Sequence, residues 1–442
     1  MRKAVLILLF LGIAVVGMAQ SVITGKLDSL MKGLSANDLA YGSVAIVKNG
    51  KQVYSKSIGV SHEKDSVTVK ATSKTRYRIG TVTQMVTATM VYQLIEQGKI
   101  KAEDLLVEYF PDIPNSNIIT IAQLLQHRTG LFDYLQHKSI ETALDKPMNR
   151  EKFLSVMTRE LPIYTPGLQQ QFNSSNYVLL GYIIEDITKM KLNDAFKKMI
   201  ADTAGMKNTY FGGKLNTAKS EAWSFIREDQ WYRAAETDLS VMGGAGGLVS
   251  TPSDMAKFMS GLFNGKFISK TSLEQMMGPT DPFSSGILSF EFSGMKAHGL
   301  IGNVDGFMSA VLYFPDSALS IAYLSNGVDF IFEEVLDGII KIALGHSYEI
   351  PGLKPLPISQ QKLTEYVGKY SLPGSPLKVD VYISQMTLHA KVEGQDPVMV
   401  IPVAPDKFMF PKGGFSLEFD LSAKQMTLTQ GAGVYLFVKD EE

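Results

Sequence analysis

Tyr77-Arg78-Ile79-Gly80-Thr81-Val82-Thr83-Gln84-Met85 is the stretch on which the fold turns. It runs from a glycine through small hydroxyl residues into Met85–Gln97, where Met85, Val86, Ala88, Met90, Val91, Leu94 and Ile95 leave almost no polar face. A helix that is apolar nearly all round belongs in a core, so a buried central helix is predicted here. Upstream, Ser43–Val47 and Gln52–Ser55 flank Lys48-Asn49-Gly50-Lys51. Asn-Gly accepts the positive φ of a tight turn, which predicts a hairpin. A short amphipathic pattern over Ile23–Met31 predicts an outer helix.

Downstream, helices are predicted over Ile119–Gln126, Arg150–Arg159, Tyr177–Lys189 and Leu192–Ala204. Thr251 and Pro252 supply N-cap and first-turn chemistry for another, reaching Leu262. Met308–Phe314 and Leu319–Leu324, split by Pro315-Asp316-Ser317, read as an antiparallel pair, and Phe330–Leu344 as a closing helix. Strands at both ends with helices between predict an α+β domain over residues 20–350, an antiparallel sheet flanked by helices with a helical lobe. Residues 351–357, with three prolines, form a linker. Beyond it the period falls to two, with Val379, Val381 and Ile383 and then Met386, Leu388, Ala390 and Val392 alternating with polar residues. About eight short strands in residues 358–442 predict a small all-β barrel.

The 442 residues are 45% hydrophobic and 20% charged, with a net charge of −1. That composition suits a globular protein of more than one domain and gives nucleic acid no electrostatic footprint. Met1-Arg2-Lys3, an apolar run from Ala4, and Gly17-Met18-Ala19 match a signal peptide over residues 1–19, cleaved after Ala19. The expected address is the periplasm or the exterior of a bacterium, with no membrane anchor after cleavage. Cysteine is absent, so thiol catalysis, thiolate metal sites and a lipidated cysteine are excluded. The histidines show no metal-ligand spacing, and no metal or cofactor is expected.

The Gly80–Met85 segment resembles the active-site motif of the serine β-lactamase and penicillin-binding protein family, which includes D-aminopeptidases and esterases. There the pattern is Ser-x-x-Lys. Further stretches extend the resemblance over roughly Leu27 to Leu344: Leu124-Leu125-Gln126-His127-Arg128-Thr129-Gly130-Leu131, the run Asn176–Glu185, Gly243–Thr251, and Gly306-Phe307 followed by Tyr313-Phe314-Pro315-Asp316. Tyr366-Val367-Gly368-Lys369-Tyr370 is similar to the start of the small barrel often appended to these proteins.

The resemblance implies a nucleophilic serine, a lysine and a tyrosine that shuttle its proton, an asparagine, and a basic residue on the edge strand. Here those positions hold Thr81, Gln84, Phe172, Ser174 and Leu300. Gln84 carries no amine to accept a proton, and Phe172 keeps the ring without the hydroxyl. Thr81 is expected to cap the buried helix and Phe172 to be a core aromatic. Sliding the second motif by two residues would bring in Asn176 but no tyrosine. His298, two residues before Leu300 and on the same strand face, is the candidate substitute base. The expected pocket residues are Thr81, Phe172, Leu300, Gly302 and Asn303.

Ser29-Leu30-Met31-Lys32 and Ser61-His62-Glu63-Lys64 also fit Ser-x-x-Lys, the first on an outer helix and the second in a polar turn, without the glycine and buried helix. Lys270-Thr271-Ser272 lies at the start of helical spacing. Loss of a nucleophile or its base costs about 10⁴–10⁶ in kcat. Five replacements at once point to a secreted pseudoenzyme that binds a small molecule or a peptide or peptidoglycan-like ligand. The alternatives are a hydrolase using Thr81 with an unorthodox base, and a protein acting through its C-terminal barrel.

Overall fold

The computed structural model describes residues 21–65, 67–227, 230–278, 284–292, 294–328, 332–346, 348, 358–384, 386–410, 415–430 and 433–440. The expected signal peptide and the 351–357 linker lie outside them. The chain divides into two compact units, Ala40–Val328 and a second made from the two chain ends, up to Leu39 and from Asp329.

The larger unit is built on a six-stranded antiparallel sheet. Its strands are β1 (Ala40–Lys48), β2 (Lys51–Ile58), β3 (Leu288–Phe292), β4 (Met295–Val304), β5 (Phe307–Phe314) and β6 (Leu319–Val328). They lie in the order β3-β4-β5-β6-β1-β2. The β1–β2 hairpin closes at Lys48↔Lys51, with Asn49 at φ 50° and Gly50 at φ 75°, the two positive angles a two-residue turn requires. β1 is buried from Ala40 to Val47 and β6 from Leu319 to Gly327, on both faces, so neither shows polar alternation.

The central helix spans Thr83–Glu96 and is buried nearly all round. Its apolar residues pack into one core with Ile121, Leu124, Tyr177, Leu180, Phe258 and Val311, each buried side chain contributing roughly 1.5–3 kcal/mol. Its hydroxyls are satisfied internally: Thr87 donates to the Gly244 carbonyl (2.7 Å) and Thr89 to Met85 (2.7 Å). A second helix, Pro252–Phe263, is capped by Thr251, whose oxygen accepts from the Asp254 N–H, and packs on β1, β5 and β6. The helix expected from Tyr177 starts earlier, at Ser174, because Asn173 caps it through the Ser175 N–H (2.8 Å). Ser61–Lys64, expected as a turn, belongs instead to a strand, Val60–Lys64, paired with Val67–Lys70. The short strand β3 was not anticipated from the sequence.

In the second unit, residues 21–36 and Phe332–Ala343 form helices. Helix Gln360–Tyr366 leads into β7 (Gly368–Ser371), β8 (Lys378–Ser384), β9 (Thr387–Val392), β10 (Val398–Ala404), β11 (Lys407–Phe410), β12 (Phe415–Asp420), β13 (Gln425–Gln430) and β14 (Gly433–Lys439), a closed barrel. Val379, Val381, Leu388, Ala390, Leu417, Phe419, Met426 and Phe437 fill it, in keeping with the period of two. Closure is brief: among the described residues β7 and β14 pair at Tyr370↔Lys439 and Ser371↔Val438, extended by the Asp440 N–H bond to the Lys369 carbonyl.

Candidate functional site

The turn Gly80–Val82 carries the motif from the short strand Tyr77–Arg78 into the central helix. Gly80 has φ 51°, and a Cβ there would lie 2.3 Å from the Asn303 carbonyl oxygen. A Cβ on Gly302 would lie 2.9 Å from Thr81 Cβ and from the Thr81 and Val82 nitrogens. The motif and β4 therefore meet backbone to backbone, with glycine on each side. Thr81 does not cap the helix, since neither the turn nor the helix has a side-chain cap. Its half-buried hydroxyl has no hydrogen-bond partner among the described residues.

Buried Arg78 holds this junction. Its guanidinium donates to the carbonyls of Thr237 and Gly213 (3.2 Å to the latter) and pairs with Asp305 Oδ2 at 3.2 Å. Asp305 also accepts from the Thr237 N–H (3.1 Å) and hydroxyl (2.7 Å). Asp305 sits in the two-residue turn between β4 and β5, with φ 52°. The residue three before Thr81 thus fixes the turn that ends β4.

From Gln84, three residues after Thr81, runs a chain of neutral polar groups. The Asn173 N–H (3.2 Å) and Asn176 Nδ2 (3.3 Å) both donate to His127 Nδ1. That makes Nδ1 an acceptor, so Nε2 carries the ring proton and donates to Gln84 Oε1 at 3.2 Å. Asn176 Oδ1 accepts from the Thr129 hydroxyl at 2.7 Å. The order Thr129→Asn176→His127→Gln84 leaves Gln84 Nε2 buried, with no partner among the described residues. Burial pushes the His127 ring down to about 4, so it is uncharged at neutral pH. Its ring lies between Phe172 and Tyr177, at 5.0 and 5.1 Å.

The other candidate residues are distributed around this chain. Phe172, expected in the core, is 40% exposed, with its ring 5.0 Å from that of His127. Leu300 is buried in the core, two residues up β4 from Gly302, and Asn303 is exposed. Buried Ser174 donates its N–H to Asp133 Oδ2 at 3.2 Å; burial raises that carboxyl, opposed by the Ser174 and Leu135 N–H groups. His298 lies four residues from Gly302, roughly 13 Å along a strand. It bonds Ser289 (3.1 Å) and stacks on Phe263 (5.8 Å), and burial followed by Lys296 lowers its basicity.

The beta-lactamase family profile matches residues 27–343. The chain belongs to that family. It is 23% identical to penicillin-binding protein 4* of Bacillus subtilis over 424 residues, which cover 89% of this chain and 93% of that protein. It is 28% identical to the teichoic acid D-alanine hydrolase of Staphylococcus aureus over 256 residues, 55% of this chain. There it spans 58% of the relative's length. The octameric penicillin-binding protein homologue from Pyrococcus abyssi superposes with a TM-score of 0.65 at 21% identity, covering 93% of this chain and 99% of that one, and so shares the fold.

Within this family architecture, Thr81, Gly302 and Asn303 come together, and Gln84 joins Phe172 through His127. Thr81 and Gln84 are three residues apart, on one helix face. The arrangement offers a hydroxyl, an amide and an apolar ring, but the one titratable side chain in the polar chain is neutral His127, on the far side of the Gln84 amide. His127 and Arg78 were not singled out from the sequence as site residues. Their partners lie 43 and 227 positions away, and the framework match around His127 was the available signal. Among the described residues no group of side chains forms a metal site, and no helix is long and apolar enough to cross a membrane.

Proposed function

We propose that this beta-lactamase-family protein binds a ligand in the cleft at Thr81 without turning it over. The observation that carries this is the Gln84–His127 bond: the position where a base would activate the hydroxyl is an amide whose oxygen is already engaged. A neutral hydroxyl is a weak nucleophile without an adjacent base. The ligand class proposed is a small acyl compound or a peptidoglycan-like peptide; similarity to a relative named teichoic acid D-alanine hydrolase and to penicillin-binding proteins supports that choice. Export with loss of residues 1–19 is part of the same proposal, supported by the basic, apolar and small-residue order of that segment.

The test is covalent labelling. After prolonged incubation with a fluorophosphonate or a penicillin, intact-mass spectrometry is expected to show unmodified protein. An adduct that maps to Thr81 and disappears in Thr81→Ala would overturn the proposal in favour of a working hydrolase.

A further inference from the structure

We infer that the Ala40–Val328 unit carries a second binding site, for a neutral sugar of one or two rings. A cavity of about 600 Å³, within the range of small-molecule sites, opens beside helix Ser174–Thr188. That helix sets Tyr177 against the His127 ring, while Val178, Gly181, Tyr182 and Glu185, at spacings of three and four, line the cavity. None of Thr81, Gln84, His127, Phe172 and Gly302 lines it, so it is separate from the motif. Glycines leave it open. A Cβ on Gly244 would lie 3.2 Å from Gly181 Cα, so the two backbones meet there, and a Cβ on Gly243 would meet nothing within 4 Å.

Three cations and two carboxylates line it, and their charges largely offset. Arg150 holds Asp186 through two bonds of 2.6 Å, its guanidinium set against the rings of Phe110 and Tyr182 (5.0 and 5.1 Å). Half-buried Glu185 shares the lining with exposed Lys189, one helical turn on, and exposed Lys191. A ligand of either net charge meets attraction and repulsion together, whereas neutral hydroxyls, each donor and acceptor at once, can use every group. Several of those groups are unsaturated. The Tyr182 hydroxyl has no hydrogen-bond partner among the described residues, and burial, with Glu185 adding to it, pushes it up to about 12, so it stays protonated. Glu185 accepts from the Leu192 N–H with one oxygen (2.9 Å) and Asn193 from the Phe211 N–H (3.0 Å). The other carboxylate oxygen and the Asn193 amide nitrogen are left for a ligand. Val178, Leu239 and the half-buried ring of Phe211 supply apolar surface for the C–H face of a sugar ring.

The test is an NMR titration of the full chain with cellobiose and with maltose, set against glycyl-leucine as a zwitterion and glucuronate as an anion. At least one disaccharide is expected to saturate with a millimolar Kd and to shift the amide signals of Gly181, Gly243 and Gly244. Tyr182→Phe keeps the ring on Arg150, and Glu185→Gln keeps an oxygen on the Leu192 N–H. Each is expected to weaken the sugar about fivefold, and Thr81→Ala to leave its affinity unchanged. If neither disaccharide saturates in the millimolar range, if the shifts fall elsewhere, or if both substitutions leave the affinity intact, the inference is overturned. Tighter binding of glycyl-leucine or glucuronate than of either sugar overturns the choice of a neutral ligand.

Discussion

Replacing Gly80 with alanine tests whether the motif and β4 really meet without side chains between them. Two costs are expected, and Gly98 separates them. Gly98 has φ 66° and nothing within 4 Å of a would-be Cβ, so Gly98→Ala pays only for a left-handed backbone, about 1 kcal/mol. Gly80, at φ 51°, pays the same and in addition drives a methyl to 2.3 Å from the Asn303 carbonyl. Relieving that overlap means shifting backbone on one side, typically about 1–3 kcal/mol. Urea unfolding followed by the fluorescence of Trp223 and Trp231, the chain's two tryptophans, reports on the Ala40–Val328 unit. With a slope of about 3 kcal/mol per molar, an excess of about 2 kcal/mol places the Gly80→Ala midpoint roughly 0.7 M below that of Gly98→Ala. Coincident midpoints would refute the close approach.

Neutral, buried His127 makes stability depend on pH. Its ring titrates at about 4 when folded, against 6.5 when exposed. Its contribution is therefore complete above pH 6.5 and lost as pH falls toward 4, by about 3 kcal/mol in all. His127→Gln should flatten that slope relative to wild type in denaturant titrations at stepped pH, and parallel curves would contradict it. In the barrel, the Lys439 N–H bonds Lys424 and the Asp440 N–H bonds Lys369, so odd residues of β14 face β13 and even ones face β7. Because β7 stops opposite Val438, the amides of Val434 and Leu436 should exchange with deuterium near the intrinsic rate, while Tyr435 and Phe437 stay protected. Equal protection at all four would mean that the edge is covered.

Much of the architecture could be read from local pattern. Asn49-Gly50 placed the first hairpin, a segment after Gln84 that is apolar nearly all round placed the central helix, Thr251-Pro252 placed another, and period two placed the barrel. The misses have physical causes. Val60–Lys64 carries charges expected in a turn but pairs as a short strand with Ser61 buried, and β3 is brief, alternating half-buried and exposed residues. Phe172 looks like a core residue, yet it lies 40% exposed beside the ring of His127, a neighbour far off in sequence. The same holds for the chain from Thr129 to Gln84: tautomer and amide orientation follow from contacts between segments that no spacing in the sequence records. The five departures from the family's pattern were visible in the sequence, whereas the hydrogen bond that ties Gln84 to His127 was not.

The glycine-to-glycine meeting of the motif and β4 has a consequence for how freely this fold can change its chemistry. The distance between the two backbones is set by Gly80, Gly302 and the Arg78–Asp305 pair, none of which is among the five altered positions. Reactive groups can then be exchanged like fittings on a fixed frame, with shape and reactivity assigned to different residues. A frame of that kind keeps its shape whichever side chains it carries, and it is an apt starting point for installing a new reaction by design.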